Sequence, residues 1–344
     1  MTIRMTRRGV LGASLAAALP MPALAQAKPD RIVVNISGGA MTNLFRRTYF
    51  AEFEKRHGIR VVDTSPVDFG KLRAMVESGN VEWTVTELGG QDFVRAQQMN
   101  LLEPLDLSII DLSRYPEAVR NTTHTFPSSV YSTVMAYRTD VFPNNTHPKG
   151  WAEFWDVRRF PGPRSLRNHP VDNLEFALLA DGVKPDELYP LDIDRALASI
   201  DRIKDDLILW EAASQTPQLL KSKEAVYVAT WDNVFEEDGF FVNFAPGIWD
   251  VAYFVMPKGA PNPELAMKLL HEMSKVENQA RAAEITPVAG PSPTIMDHIS
   301  PAIQAKMPTN PELRKTQAGS DRMWWAEHGD EAERRWSEYM LKNF

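Results

Sequence analysis

Beyond the first 30 residues, apolar and polar positions follow two periods, one typical of strands and one typical of helices. Residues 31–36 are rich in β-branched side chains and predict a strand. Residues 42–56 place large apolar side chains at helical spacing, and His57-Gly58 ends that helix. Residues 59–62 predict the next strand, so a strand, a helix and a strand follow one another.

The same alternation continues to the C-terminus. Further predicted strands cover residues 82–88, 130–137, 164–167, 225–230 and 250–256, and further predicted helices cover 69–77, 90–99, 172–180, 192–204, 263–275 and 324–341. This order predicts an α/β protein in which helices cover the faces of mixed sheets. Residues 143–148, rich in Pro and Asn, predict a turn where a first lobe ends.

Composition narrows the class of protein. The 344 residues are 44% hydrophobic, enough for two packed lobes, and the formal charge is −7. An acidic chain is a poor nucleic-acid binder, because phosphate contacts need clustered Lys and Arg. The absence of cysteine excludes disulfides, thiolate nucleophiles and Cys-ligated metals, so the apolar core must supply the stability.

The N-terminus has the pattern of an export signal. Adjacent Arg7 and Arg8 precede a short apolar run and a small-x-small motif that ends at Ala25. We expect residues 1–27 to be a signal peptide of the twin-arginine type, cleaved near Ala25 or Ala27, and the protein to be periplasmic. The apolar run is also compatible with the general secretory route.

Known catalytic motifs do not occur. There is no Gly-x-Ser-x-Gly elbow, no His-Glu-x-x-His, no Walker-type Gly-Lys-Ser/Thr and no EF-hand loop, and the glycine pairs do not fit a dinucleotide fingerprint. The sequence therefore predicts a protein that is not an enzyme and holds neither a catalytic residue nor a metal or cofactor. An exported hydrolase that uses two carboxylates, or a docking protein without a pocket, stays an alternative.

The candidate site residues follow predicted strands, where open α/β sheets bind ligands. Two Gly-Gly pairs would expose backbone N–H groups at helix starts, unless they are simple turns. Two Trp-Asp pairs, one after the strand that ends at residue 230 and one at the start of the next strand, would form an ammonium site, unless the indoles belong to the core. Asp172 and Glu175 share a helix face, although acids at a helix start also complement its dipole.

The chain resembles the periplasmic solute-binding components of ABC importers, in the spermidine/putrescine-binding group. The likeness extends from the first predicted strand to the C-terminal helix. It is carried by SGGA at 37–40, FEKRHGIRVV at 53–62, YSTVMAY at 131–137, GWAEFWD at 150–156, the run from WD at 249 to PKG at 257–259, and WWA at 324–326.

The resemblance implies a two-lobed periplasmic-binding-protein fold of type II, each lobe a mixed sheet flanked by helices, with the ligand in the cleft between the lobes. Lobe 1 would comprise residues 28–137 and about 253–300, and lobe 2 residues 138–252 and about 301–344. The expected partners are a small amine-bearing solute, such as putrescine or spermidine, and an inner-membrane ABC permease that receives it. The protein itself would be monomeric and would need no cofactor.

The resemblance also selects site residues. Asp172 and Glu175 match the Asp-x-x-Glu that holds amines in polyamine binders, and Trp231 matches their tryptophan, here followed by Asp232. Departures from the group's pattern leave a related amino acid, or a ferric ligand, as alternatives; the carboxylate of an amino acid would lie on the glycine N–H groups. The predicted ligand-binding residues are Gly38, Gly39, Gly89, Gly90, Gln91, Asp172, Glu175, Trp231, Asp232, Trp249, Asp250 and Tyr253.

Overall fold

The computed structural model describes residues 29–120, 122–142, 146–232, 239–287 and 290–344. The predicted signal peptide lies outside the described residues, as do residues 143–145 of the predicted inter-lobe turn. Within the described ranges, no helix combines the length and the apolar character needed to cross a bilayer.

Ten strands form in the described part of the chain. They are β1 Arg31–Asn35, β2 Arg60–Thr64, β3 Val85–Leu88, β4 Leu102–Glu103, β5 Thr125–Arg138, β6 Arg164–Arg167, β7 Leu207–Trp210, β8 Tyr227–Trp231, β9 Phe240–Pro257 and β10 Ala318–Gly319.

The helices surround these strands. They are α1 Gly39–Phe45, α2 Ala51–His57, α3 Phe69–Ser78, α4 Gly90–Gln98, α5 Glu117–Arg120, α6 Trp151–Phe154, α7 Asn173–Ala180, α8 Ile193–Asp201, α9 Gln215–Lys221, α10 Pro263–Ser274, α11 Val276–Ala283, α12 Pro301–Gln304, α13 Pro311–Arg314 and α14 Arg322–Asn343. A π-helical segment, Arg46–Phe50, joins α1 to α2.

Most predicted elements are present, and the largest error concerns β9. The sequence predicted a strand over residues 250–256, whereas β9 begins ten residues earlier, at Phe240. Pro246 and Gly247 give this stretch the composition of a turn, but they lie inside the strand, next to a register shift in its pairing with β5. The sequence also missed β7, α9 and α11, and the helix predicted to reach residue 204 ends at Asp201.

One continuous sheet of order β2-β1-β3-β9-β5-β8-β6-β7 organises the molecule. At one end β1 pairs in parallel with β2 and β3, and at the other β6 pairs in parallel with β7 and β8. The two long strands β5 and β9 lie side by side between these groups and pair antiparallel along almost their whole length. They are the strands through which the two ends of the sheet are joined.

Two large hydrophobic cores flank this central pair. Val130 and Val251 belong to the first core, and Met135 and Ile248 belong to the second. The change from one core to the other therefore occurs within β5 and β9 rather than at their ends. The predicted lobe boundaries, after residue 137 and near residue 253, do not coincide with this change, since Met135 lies in the second core and Val251 in the first. As divisions of the chain into moving bodies they stay a prediction.

Helix α14 packs on both halves. Its tryptophans Trp325 and Trp336 are buried in the second core, and its N-terminal part contacts α4 beside the first core. Asp321 begins the helix by accepting the N–H groups of Met323 and Trp324 at 3.0 Å. This helix start places the next residue, Arg322, beside the central strand β9.

Candidate functional site

Asp172 stands at the N-cap of α7 with φ 69°, in the left-handed region that L residues rarely adopt. An aspartate at this position usually caps the helix, but this side chain makes no capping hydrogen bond. Instead its Oδ2 accepts the hydroxyl of Thr133 on β5 at 2.7 Å. A strained residue whose carboxylate is turned from its helix toward the central strands is typical of a functional site.

Burial and neighbouring groups shift the pKa of Asp172. Burial raises the pKa of Asp172 to about 6, the hydrogen bond from Thr133 lowers it, Asp250 raises it, and Arg167 lowers it. A small cavity opens beside this carboxylate. Its lining residues are Thr133, Arg167, Val171, Asp172, Asn173, Trp210, Ala229 and Trp231.

Trp231 forms one wall of that cavity. The guanidinium carbon of Arg167 lies 5.3 Å from the centre of its indole, and Trp210 packs against it edge-on at 5.7 Å. Cation–π geometry is thus present at Trp231, with a protein cation above the ring. The sequence had predicted Trp231 as a platform for a ligand amine and had not included Arg167.

Glu175 lies one turn after Asp172 on α7, but its carboxylate has different hydrogen-bond partners. Its side chain is fully buried, and Oε1 accepts the Tyr189 hydroxyl at 2.5 Å and the Trp325 indole N–H at 2.8 Å. Burial raises the pKa of Glu175 to about 8, and the nearby Asp172 adds to the shift. Glu175 therefore links α7 to α14, and its predicted contact with a ligand stays a prediction.

Asp232 continues a row of residues across the central strands. Its Oδ1 accepts the backbone N–H of Ser132 at 3.2 Å, and its own N–H donates to the Ser132 carbonyl at 2.9 Å. Ser132 is paired with Trp249 of β9, and Trp249 with Gly319 of β10. Burial raises the pKa of Asp232 to about 7, so this carboxyl changes charge near neutral pH.

Asp250 already has a protein cation. Its Oδ1 accepts Nε of Arg322 at 2.7 Å, and both side chains are almost fully buried. Arg322 also lies against Gly90, where an added Cβ would come within 2.7 Å of three of its side-chain atoms. Gly90, which the sequence selected for its backbone N–H, thus admits an arginine at the start of α4.

Trp249 carries a second arginine. The guanidinium carbon of Arg314 lies 3.4 Å from the indole centre, and the other edge of the ring lies close to Gly319. Burial and the like charge of Arg322 lower the pKa of Arg314 to about 10, so it stays protonated at neutral pH. Tyr253, also predicted as a ligand residue, is fully buried and packs edge-on against Phe93.

The glycine loop after β1 is anchored by a buried acid on the neighbouring strand β3. Glu87 on β3 accepts the N–H of Ser37 at 3.2 Å and the hydroxyl of Ser128 at 3.1 Å, and burial raises its pKa. Gly38 and Gly39 follow with φ 95° and 59°, conformations that favour glycine. A Cβ on Gly39 would meet nothing within 4 Å.

The second glycine loop follows β3. Gly89 is the N-cap of α4 in extended conformation, and Gln91 is half-buried in the first turn of that helix. This loop and the loop after β1 both lie at carboxyl ends of neighbouring parallel strands, as the sequence predicted. Their contact with a ligand stays a prediction.

Tyr131, in the middle of β5, marks the centre of the site. Burial raises the pKa of its hydroxyl well above 10, and the charges of Asp250, Asp172, Arg322 and Arg167 all act on it. Two acids and two arginines from three separate parts of the chain therefore meet at the central strands. Sequence reasoning found the acids and missed the arginines. The only available signal was their position, with Arg167 at the end of a predicted strand and Arg322 two residues before the WWA motif at 324–326.

Comparison with known proteins decides the family. Residues 48–312 match the model of the family described as "Bacterial extracellular solute-binding protein". The chain belongs to this family. A curated relative, the gamma-aminobutyric acid-binding protein of Pseudomonas aeruginosa, is 31% identical over 94% of this chain and 95% of its own.

Solved structures agree with this membership. A structure of a receptor for γ-aminobutyric acid (GABA) is 33% identical, covers 90% of this chain and 97% of its own, and superposes with a TM-score of 0.83. The expected periplasmic-binding-protein fold is thereby confirmed. The spermidine/putrescine ABC transporter substrate-binding protein of Streptococcus pneumoniae covers 90% of this chain and 99% of its own, but at 14% identity and a TM-score of 0.69 it shares the fold alone.

The family fixes the coarse function. The protein is the substrate-binding component of an ABC transporter: it binds a small solute outside the cytoplasm and delivers it to a permease. This is a binding family rather than a family of enzymes. Within the described ranges, no group of three His, Asp or Glu side chains could hold a metal ion.

Proposed function

We propose that this solute-binding protein captures a small amino acid whose ammonium and carboxylate are separated by a short carbon chain, with GABA as the type. The observation that carries this proposal is the meeting of both signs of charge at the central strands, where two acids, Asp172 and Asp250, and two arginines, Arg167 and Arg322, all act on Tyr131. A polyamine offers only cations, so it would give no counter-charge to Arg314, for which the described residues show no acidic neighbour.

The relatives support the amino acid over the polyamine. Two proteins named for binding GABA are 31% and 33% identical to this chain, whereas the spermidine/putrescine-binding protein shares 14%. The first predicted solute, a polyamine, therefore gives way to the related amino compound that the sequence left open. In this proposal the solute is held between the two halves joined by β5 and β9, in the periplasm, and passes to an ABC permease.

Isothermal titration calorimetry on the mature protein tests the proposal. The panel comprises GABA, its homologues with one carbon fewer and one more, glutamate, putrescine and spermidine. We expect GABA or a neighbouring homologue to bind most tightly. Tight binding of putrescine or spermidine without binding of any amino acid would contradict the proposal.

A thermal-shift series provides an independent measurement. A solute that binds only the folded state stabilises it by RT ln(1 + [L]/Kd), about 2.7 kcal/mol at a hundredfold excess over Kd. The melting temperature should therefore rise with the concentration of the amino acid and stay constant with the diamine.

A further inference from the structure

Arg314 has no acidic partner among the described residues. Its guanidinium stacks on Trp249, and its Nη1 is buried without a hydrogen-bond partner among the described residues. The charge that acts on it comes from Arg322, which is also positive. Arg322 itself is paired with Asp250, so that carboxylate is already engaged.

Burying the Arg314 guanidinium near Arg322 costs free energy in the absence of an anion. A guanidinium removed from water loses hydration that only an acceptor can replace, and a like charge nearby adds repulsion. Arg167 differs in this respect, because the carboxylate of Asp172 lies within its electrostatic reach. Of these arginines, Arg314 is therefore the one whose surroundings most require an external carboxylate.

The sheet register relates Arg314 to an acid. Asp232 is the first residue after β8 and lies beside Ser132 on β5, whose N–H it accepts. Ser132 is paired in turn with Trp249 on β9, and Trp249 with Gly319 on β10. Neighbouring strands are about 4.8 Å apart, so roughly 10 Å separates the backbones of Asp232 and Trp249. An acid thus stands two strands from the indole on which the unpaired cation rests, a span that suits the two ends of a short zwitterion.

We propose that Arg314, stacked on Trp249, binds the carboxylate of the solute, while Asp232 on the same row of the sheet binds its ammonium. This assignment rests on the proposed function, because it presumes a solute that carries both groups. The planar guanidinium suits a carboxylate, since it can donate two parallel hydrogen bonds. The assignment also makes Arg314 the residue that discriminates an amino acid from a diamine.

The test replaces Arg314 by Gln and measures calorimetric affinity for GABA and for putrescine. The Arg314→Gln variant should bind GABA about 30-fold more weakly or worse. Putrescine carries an ammonium where GABA has its carboxylate, so it should bind the variant more tightly than the wild type. Arg314→Lys, which keeps the charge and loses the planar fork, should bind GABA with an intermediate affinity.

A matched control separates this role from a general effect of charge. Lys315 is the next residue, is exposed and pairs with Glu312, so Lys315→Gln removes one positive charge without touching Trp249. It should leave GABA affinity within about twofold of the wild type, since exposed charges are screened.

The stability of the ligand-free protein gives a second readout. If Arg314 serves a ligand, Arg314→Gln removes an uncompensated cation, and the melting temperature stays the same or rises. If Arg314 only supports the fold through its stack on Trp249, the melting temperature falls and the affinities for GABA and putrescine change together or not at all. The second result overturns the carboxylate subsite, that is, the assignment of Arg314 on Trp249 to the carboxylate of the solute.

The failure of the subsite differs from the failure of the proposed function. A wild-type protein that binds GABA with an affinity that Arg314→Gln leaves unchanged overturns the subsite alone. A wild-type protein that binds diamines and no amino acid overturns both.

Discussion

At the scale of single residues, the most informative feature is a conflict between Asp172 and its local structure. The residue begins α7 yet caps no N–H of that helix, and it occupies a backbone conformation that costs on the order of 1–3 kcal/mol. Its carboxylate reaches Thr133 on β5 instead. Local rules are broken where tertiary contacts or function require it, and at this position the tertiary contact is the hydrogen bond from Thr133.

Replacing Asp172 by Asn tests its role without disturbing the backbone, because Asn tolerates a positive φ and can still accept the Thr133 hydroxyl. We expect Asp172→Asn to fold and to lose about 2–5 kcal/mol of solute binding, since it removes the carboxylate that, besides Asp232, would attract the ammonium. Calorimetry measures the loss. The control is Asp181→Asn at the other end of α7, whose carboxylate pairs with Arg195 and Arg202 at the surface; equal losses in the two variants would contradict a specific role.

At the scale of elements, α7 shows how one helix serves the site and the core with two carboxyl groups. Asp172 points toward β5, while Glu175, one turn later, is buried against Tyr189 and Trp325. The sequence spacing placed the two acids on one helix face, but α14 packs on this helix and takes Glu175 as its partner. Residues on one helix face can contact different neighbouring elements, and the sequence of the helix does not specify which elements those are.

The buried Glu175 predicts how stability depends on pH. Its folded-state pKa is raised from 4.5 to about 8, so the folded protein keeps a proton that the unfolded chain releases. Its contribution to stability is therefore full below about pH 4.5 and is lost as pH rises through about 8. Glu175→Gln, a neutral isostere, should leave the melting temperature unchanged near pH 5 and raise it near pH 8.

Melting curves of the ligand-free wild type and Glu175→Gln between about pH 5 and pH 8 provide the measurement. Parallel pH profiles for the two proteins would show that Glu175 is ionised throughout and would refute the assignment. Asp181→Asn again serves as the control, because Asp181 is ion-paired at the surface and its pKa is lowered.

At the scale of the whole molecule, the central pair β5 and β9 joins the two cores, and Arg322 of α14 joins that pair to α4. Arg322 is ion-paired with Asp250 on β9 and lies against Gly90 at the start of α4. The side chains of the pair are only 12% and 8% exposed. An intact buried ion pair of this kind contributes little to the free energy of unfolding, but removing one partner is costly because the other charge is left buried and unpaired.

Arg322→Gln should therefore destabilise the protein by about 3–5 kcal/mol, because it leaves the carboxylate of Asp250 buried without its cation. The double variant Asp250→Asn with Arg322→Gln should recover much of that loss. Urea unfolding of the single and double variants measures both effects.

Arg334→Gln is the matched control for this cycle. It removes an exposed pair with Glu338 on the same helix and should cost at most about 0.5 kcal/mol. Additive losses in the double variant would show that Asp250 and Arg322 do not depend on one another.

The sequence alone determined the order of strands and helices, the family and the acids of the site, because hydrophobic periodicity and residues at strand ends are local properties of the chain. It placed Asp172 and Asp232 after the strands that carry them, and it ended α2 at Gly58. It also left open both a polyamine and an amino acid as solute.

Only the tertiary structure decided which charges meet. Arg167, Arg314 and Arg322 carry no signal of their own in the sequence, since arginine is common on protein surfaces. They join the candidate site because the packing around β5 and β9 brings distant segments together, and because α14 begins beside β9. The same packing took Glu175 into the core and gave Asp250 a protein cation, since side-chain partners far apart in sequence are set by the way the elements pack.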